Sequence, residues 1–107
     1  MPVSNRTRYD IYADVVSVLQ YYGEAGISQI ARRANLPIDR AKGIIQFMLS
    51  RGLMVKFEDP KTRPAVVYKS TSRGYQYLEM YKQLSRMVVE ITEDEMEFES
   101  GFKIEEI

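Results

Sequence analysis

The chain has 107 residues, with fifteen Lys and Arg against fifteen Asp and Glu and no His, Cys or Trp. Without Cys or His it can build no zinc finger, disulfide framework, Cys nucleophile or Ser-His-Asp triad, so only carboxylate–oxygen metal sites stay open. One domain is expected at this length, and the hydrophobic share of 45% suits a globular core rather than a wholly disordered chain. No apolar run reaches the roughly 18 residues of a membrane span, and the opening MPVSNRTRYD has no apolar signal region. A soluble, cytoplasmic protein is expected, nucleoid-associated if it is prokaryotic.

Residues 1–7 are polar and read as a flexible amino terminus, ahead of a domain over 8–88 and an acidic tail over 89–107. From Arg8 to Tyr22 the residues Ile11, Tyr12, Val15, Val18, Leu19 and Tyr22 recur at spacings of three and four, which predicts a first helix. Gly23 and Gly26 bracket the turn that stops it. Ser28 sits where an N-cap hydroxyl would open a short second helix, with Ile30, Ala31 and Ala34 facing inward. Asn35-Leu36-Pro37 ends that helix, because Pro37 disfavours helical geometry at the residue before it. Pro37 can then open a third helix running to Arg51, with Gly52 as its left-handed stop.

On a helical wheel Ala41, Ile44, Ile45, Met48 and Leu49 share one face of the third helix, and Asp39, Gly43, Gln46 and Ser50 lie opposite. Arg40, Phe47 and Arg51 flank one side of the exposed face, and Lys42 flanks the other. Residues 53–58 and 65–70 are β-rich, and the turn-rich, basic stretch 59–64 between them predicts a hairpin with a long tip. Thr71 or Ser72 caps a fourth helix from about Ser72 to Val88 or beyond.

The zero net charge hides an asymmetry. Through Arg86 there are fourteen basic residues and seven acidic ones, a net +7; from Met87 there is one basic residue against eight acidic ones, a net −7. A basic body fits a polyanion partner, and the acidic tail can compete for that surface. The plainer alternative is an ordinary surface with a solubilising tail, or one that docks on its own domain through Phe98, Phe102 and Ile104.

Helix, short helix, tight connection, helix and hairpin is the order of a winged helix-turn-helix, an α+β, mostly helical fold, here with a long C-terminal helix and an acidic tail. The projecting helix can enter the roughly 12 Å major groove and read base edges. The sequence resembles small archaeal winged-helix DNA-binding proteins, of the archaellum-regulator type and of a dimeric chromatin-associated type. The resemblance rests on Ser28 to Gly43, on Leu49-Ser-Arg-Gly-Leu53 and on Tyr68-Lys-Ser-Thr-Ser-Arg-Gly-Tyr-Gln-Tyr-Leu78, and covers about Tyr9 to Leu84. Ser70 stands where the family usually has an apolar residue, and the acidic tail is not part of the pattern. The resemblance implies double-stranded DNA as partner.

The expected DNA-contact set is Ser28, Arg32, Arg33, Asp39, Arg40, Lys42, Gly43 and Gln46, with Lys61 and Arg63 at the wing tip. The four bases of the two helices are phosphate or base contacts, or else a solvated face. Mid-helix Gly43 either lets the backbone approach DNA closely or serves packing. Gln46 could read adenine bidentately or simply be solvated. The eight tyrosines are read as core and interface packing rather than base-stacking platforms. Glu93–Asp94–Glu95 is read as plain acidic tail rather than a cation site. No phosphate-binding Gly loop and no nucleophile–base pair is present, so a non-enzyme without cofactor, metal or small-molecule substrate is expected.

The fourth helix is apolar on two sides. Tyr75, Leu78 and Tyr81 can return to the core, while Tyr77, Met80, Leu84 and Met87 form a second stripe. A surface helix needs one apolar face, and the family relatives pair such helices, so a homodimer is expected through the stripe. Otherwise Val88, Val89, Ile91 and Met96 of the same chain fold back over it.

The leading expectation is a transcriptional regulator that inserts helix 37–51 in the major groove, with wing 59–64 on flanking backbone. The alternative is a winged-helix protein-interaction module without direct DNA contact. Double-stranded RNA is a weaker option, since its deep narrow groove does not admit a helix.

Overall fold

Thr7 opens the first helix, α1 (Arg8–Tyr22), with a capping box. Its hydroxyl accepts from the Asp10 amide, and the Asp10 carboxylate accepts from the Thr7 amide at 2.8 Å. These positions come from a computed structural model, which describes residues 6–101, and side chains only as far as Val88. The order continues as α2 (Ile27–Arg33), α3 (Ile38–Ser50), β1 (Met54–Glu58), β2 (Val66–Ser70) and α4 (Ser72–Gly101). Arg6 and Thr7, expected to be loose, are both hydrogen-bonded to the domain. Expectations that fall on Phe102 and Ile104, and on the side chains of Val89, Ile91, Glu93, Asp94, Glu95, Met96 and Phe98, lie outside the described residues.

β1 and β2 pair antiparallel, with Met54 opposite Ser70 and Glu58 opposite Val66. Ala25, between α1 and α2, adds an isolated one-residue bridge to β2 by exchanging two backbone hydrogen bonds with Tyr68, at 2.8 and 3.1 Å. The hairpin is thereby tied to the start of the helix-turn-helix.

That tie explains the main departure from the sequence expectation. Ser28 does not cap α2; Gly26 does, with no side-chain hydrogen bond, and Ser28 lies exposed inside the helix. A Cβ at Gly26 would stand 2.8 Å from Pro64 Cγ and 3.3 Å from the Val66 carbonyl oxygen. The wing root therefore packs where only glycine fits, and this long-range contact decides where α2 begins. Ala34 is the C-cap of α2 rather than part of it, and Pro37 is the extended N-cap of α3.

The core lies where α1 crosses the other elements. Ile11, Val15, Val16 and Leu19 from α1 meet Ile30, Ala41, Ile45, Met48, Met54 and Leu78, all at most 3% exposed. Among the described residues no polar side chain is buried.

α4 is rotated relative to the expected faces. Its inward side is Gly74, Tyr77, Leu78, Tyr81 and Ser85, while Tyr75 is exposed. Gly74 sets this rotation. A Cβ there would collide with the Leu53 carbonyl and the Ser70 hydroxyl, so the helix must turn its glycine to the domain. Thr71 caps the same turn: its hydroxyl accepts from the Gly74 amide and donates to the Gly52 carbonyl at 2.6 Å. The Tyr77 hydroxyl donates to the Tyr9 carbonyl at 2.6 Å, and the Tyr81 hydroxyl donates to the Asp10 carboxylate. Tyr77 is thus half-buried against α1. Met80, Leu84 and Met87 of the same expected stripe stay open, at 61%, 63% and 56% exposure.

Candidate nucleic-acid interface

α2 and α3 are joined by Ala34–Pro37. Asn35 takes a left-handed φ of 59°, a conformation Asn adopts more readily than most residues. The Leu36 amide donates to the Ala31 carbonyl at 2.8 Å, and the Leu36 side chain is buried. Arg6 reaches the turn from outside the helical pair. One of its guanidinium nitrogens donates to the Ala34 carbonyl and to Asp14 Oδ2, both at 2.7 Å. The other donates to the Asn35 carbonyl at 2.9 Å.

Beyond the turn, Ala41, Ile45 and Met48 fasten α3 to the core. Phe47, expected on the flank of the exposed face, instead stacks on Tyr12 of α1 with centroids 5.2 Å apart. The Arg51 guanidinium covers the Phe47 ring at 5.0 Å. Asp39, Arg40, Lys42, Gly43 and Gln46 are all exposed. A Cβ on Gly43 would meet nothing within 4 Å, so packing within the chain does not require this glycine. Asp39 sits in the first turn of α3, where a negative charge suits the helix dipole.

On α2, Ser28 and Arg32 are exposed one turn apart and border a shallow groove whose other wall is the wing root, Pro64 to Val66. Arg33 turns toward α1 and lies 5.5 Å from the Tyr22 ring centroid. At the wing tip Asp59 organises the turn: its carboxylate accepts from the Lys61 amide at 3.0 Å, and its carbonyl accepts from the Thr62 hydroxyl at 3.0 Å. Lys61 and Arg63 are exposed on that ordered tip.

The ion pairs among the described residues are Arg6–Asp14, Lys56–Glu58 and Lys69–Glu24. None uses Arg32, Arg33, Arg40, Lys42, Lys61 or Arg63, so no carboxylate among the described residues neutralises these cations. Among the described residues no carboxylate cluster could hold a metal ion, and no helix is long and apolar enough to cross a membrane. Arg6 is the positioning residue that sequence reasoning passed over; of the two expected caps of the fourth helix, Thr71 is the one whose hydroxyl accepts from the Gly74 amide.

Residues 5–89 match the profile of a family described as winged helix-turn-helix. The chain belongs to that family. No curated protein sequence matches it. Among solved structures, this winged helix is similar to the DNA-binding protein Sso10a-2 from Sulfolobus solfataricus, with a TM-score of 0.77 at 11% identity, covering 94% of this chain and 100% of that one. It is also similar to the transcriptional regulator BldR from Sulfolobus solfataricus, with a TM-score of 0.62 at 19% identity, covering 86% of this chain and 65% of that one. A third is BpsR from Bordetella bronchiseptica, whose DNA binding is regulated by 6-hydroxynicotinic acid: TM-score 0.66, 20% identity, 86% of this chain and 68% of that one. At these identities the likeness is one of fold.

Proposed function

We propose that this winged helix is a double-stranded DNA-binding protein that works as a transcriptional regulator. α3 enters the major groove, and the wing tip 59–64 lies on flanking backbone. The observation that carries this reading is α3 itself. Ala41, Ile45 and Met48 hold one side in the core, while Asp39, Arg40, Lys42, Gly43 and Gln46 stand exposed around a point of open backbone. A helix presented in this way can approach base edges closely. Ser28, Arg32 and Arg33 from α2, and Lys61 and Arg63 from the wing, supply the phosphate contacts that fix its register.

The protein acts as a homodimer through α4. Met80, Leu84 and Met87 support this, because they form an open apolar stripe on a helix whose other side is already packed on the domain. Tyr77 borders the stripe from the domain side.

Titration of the full chain with a random-sequence duplex at several salt concentrations tests the reading. If each dimer neutralises about 4–8 phosphates, log affinity falls with log salt with a slope of about −4 to −7. A protein that shifts no duplex at low salt is instead an interaction module.

A further inference from the structure

Resting on the DNA-binding reading, we propose that Arg6 is a positioning residue for the recognition helix: it ties the α2–α3 turn to α1, and so raises DNA affinity without touching DNA. The carbonyls of Ala34 and Asn35 stand just past the end of α2, where a helix leaves acceptors without intrahelical donors. A guanidinium carries several donors in a fixed planar fork. Here the fork is used in two directions. It meets the Ala34 and Asn35 carbonyls at 2.7 and 2.9 Å on the turn, and Asp14 Oδ2 at 2.7 Å on α1. The Asp14 carboxylate fixes the guanidinium to α1, and the two carbonyls fix the turn to the guanidinium.

The arm that carries Arg6 is itself held. Thr7, the next residue, forms the capping box with Asp10, and Asp10 also accepts from Tyr81 of α4. Hydrogen bonds therefore run from α4 through the start of α1 to the turn. α3 begins at Ile38, three residues beyond Asn35. A displacement of the turn is therefore delivered to Asp39, Arg40, Lys42, Gly43 and Gln46 as a displacement of the reading face. The Arg6 side chain is 27% exposed; its bonds to Asp14 and the Ala34 carbonyl are partly sheltered from water, and that to the Asn35 carbonyl is open to it. Pre-organising a binding element raises affinity by lowering the cost of ordering it on contact.

The test compares the full-length protein with Arg6→Ala and Arg6→Lys on one labelled random-sequence duplex, well below the unfolding temperature, over a range of salt. Amide hydrogen exchange of the DNA-free proteins accompanies it. Arg6→Ala should weaken binding about three- to tenfold at every salt concentration, the scale of one missing tether, and leave the salt slope unchanged. Arg6→Lys keeps the charge but not the fork, and should restore only part of the affinity. In both variants the Leu36 and Ala41 amides should exchange faster. A salt slope shallower by about one per protomer would make Arg6 a phosphate contact and overturn the proposal. Full restoration by lysine would assign the effect to charge alone and also overturn it, as would unchanged affinity. If no variant, nor the parent, binds a duplex, the DNA-binding reading fails; unchanged exchange at Leu36 and Ala41 would separately show that Arg6 does not hold the turn.

Discussion

The hydroxyl of Tyr81, on α4, donates to the carboxylate of Asp10, the residue that also closes the capping box of α1. One turn earlier on α4, Tyr77 donates to the Tyr9 carbonyl. The long helix is thus latched to the start of α1 by two phenols, and its outward stripe keeps a defined orientation to the domain.

The latch has a pH signature. Burial, chiefly, pushes the Tyr77 phenol up to about 12, and the hydrogen bond to Asp10 raises the Tyr81 phenol. Phenols with raised values in the folded state stabilise it fully below pH about 10, and that stability is lost as pH rises through the folded values. The Asp10 carboxyl is held below its ordinary value, first by the Tyr81 hydrogen bond and then by the Thr7 amide. Its contribution is present above pH about 4 and is lost as pH falls through the lowered value. Melting temperature should fall between pH 10 and 12 in the parent, with the pH scale set by the Tyr77 value. The fall should be shallower in Tyr77→Phe with Tyr81→Phe, which starts from a lower melting temperature at neutral pH.

Gly74→Ala tests what rotates α4. The added methyl would meet the Leu53 carbonyl and the Ser70 hydroxyl. Overpacking of this kind costs about 1–3 kcal/mol, so denaturant unfolding should shift to lower concentration. An unchanged midpoint would mean that the start of α4 is not held against the α3–β1 junction.

Gly43→Ala separates binding from stability. The site is open, and alanine is favoured over glycine in a helix by about 1 kcal/mol. The variant should be as stable as the parent or more so, and should bind DNA more weakly if the helix backbone approaches the groove at this point. Unimpaired binding would show that the approach is not close there.

Arg40→Ala with Lys42→Ala should weaken DNA binding without lowering the melting temperature, because both side chains are exposed and neither is in an ion pair among the described residues. Lys61→Ala with Arg63→Ala should weaken binding to a similar degree on all sequences and reduce the salt slope by about one for each phosphate no longer neutralised. Weakening confined to one sequence would assign the wing tip to base readout.

Much of the fold was legible because local signals set it. The apolar periodicity of α1 and the glycine after it place the helix at Arg8–Tyr22, as found, and Gly52 ends the α3 region with its φ of 72°. What was not legible depended on distant contacts. Ser28 is a sound N-cap candidate by residue type, but the wing root packed on Gly26 starts the helix earlier. Tyr75 is exposed and Tyr77 is half-buried, against expectation, because a collision at Gly74, not amphipathic periodicity, sets the rotation of α4. Arg6 meets carbonyls 28 and 29 residues away, and no spacing rule connects them. The exposed residues of α3 were readable from the wheel, except Phe47, whose stacking on Tyr12 joins two elements that periodicity treats separately.

Insertion of α3 in the major groove can be read by chemical methylation of the tightest-binding duplex the protein selects from a random pool. Guanine N7 faces the major groove and adenine N3 the minor groove. Bound protein should protect guanine N7, and the Arg40→Ala, Lys42→Ala variant should lose that protection at equal occupancy. Protection limited to adenine N3, or guanine N7 protection unchanged in the variant, would mean that α3 does not read the major groove.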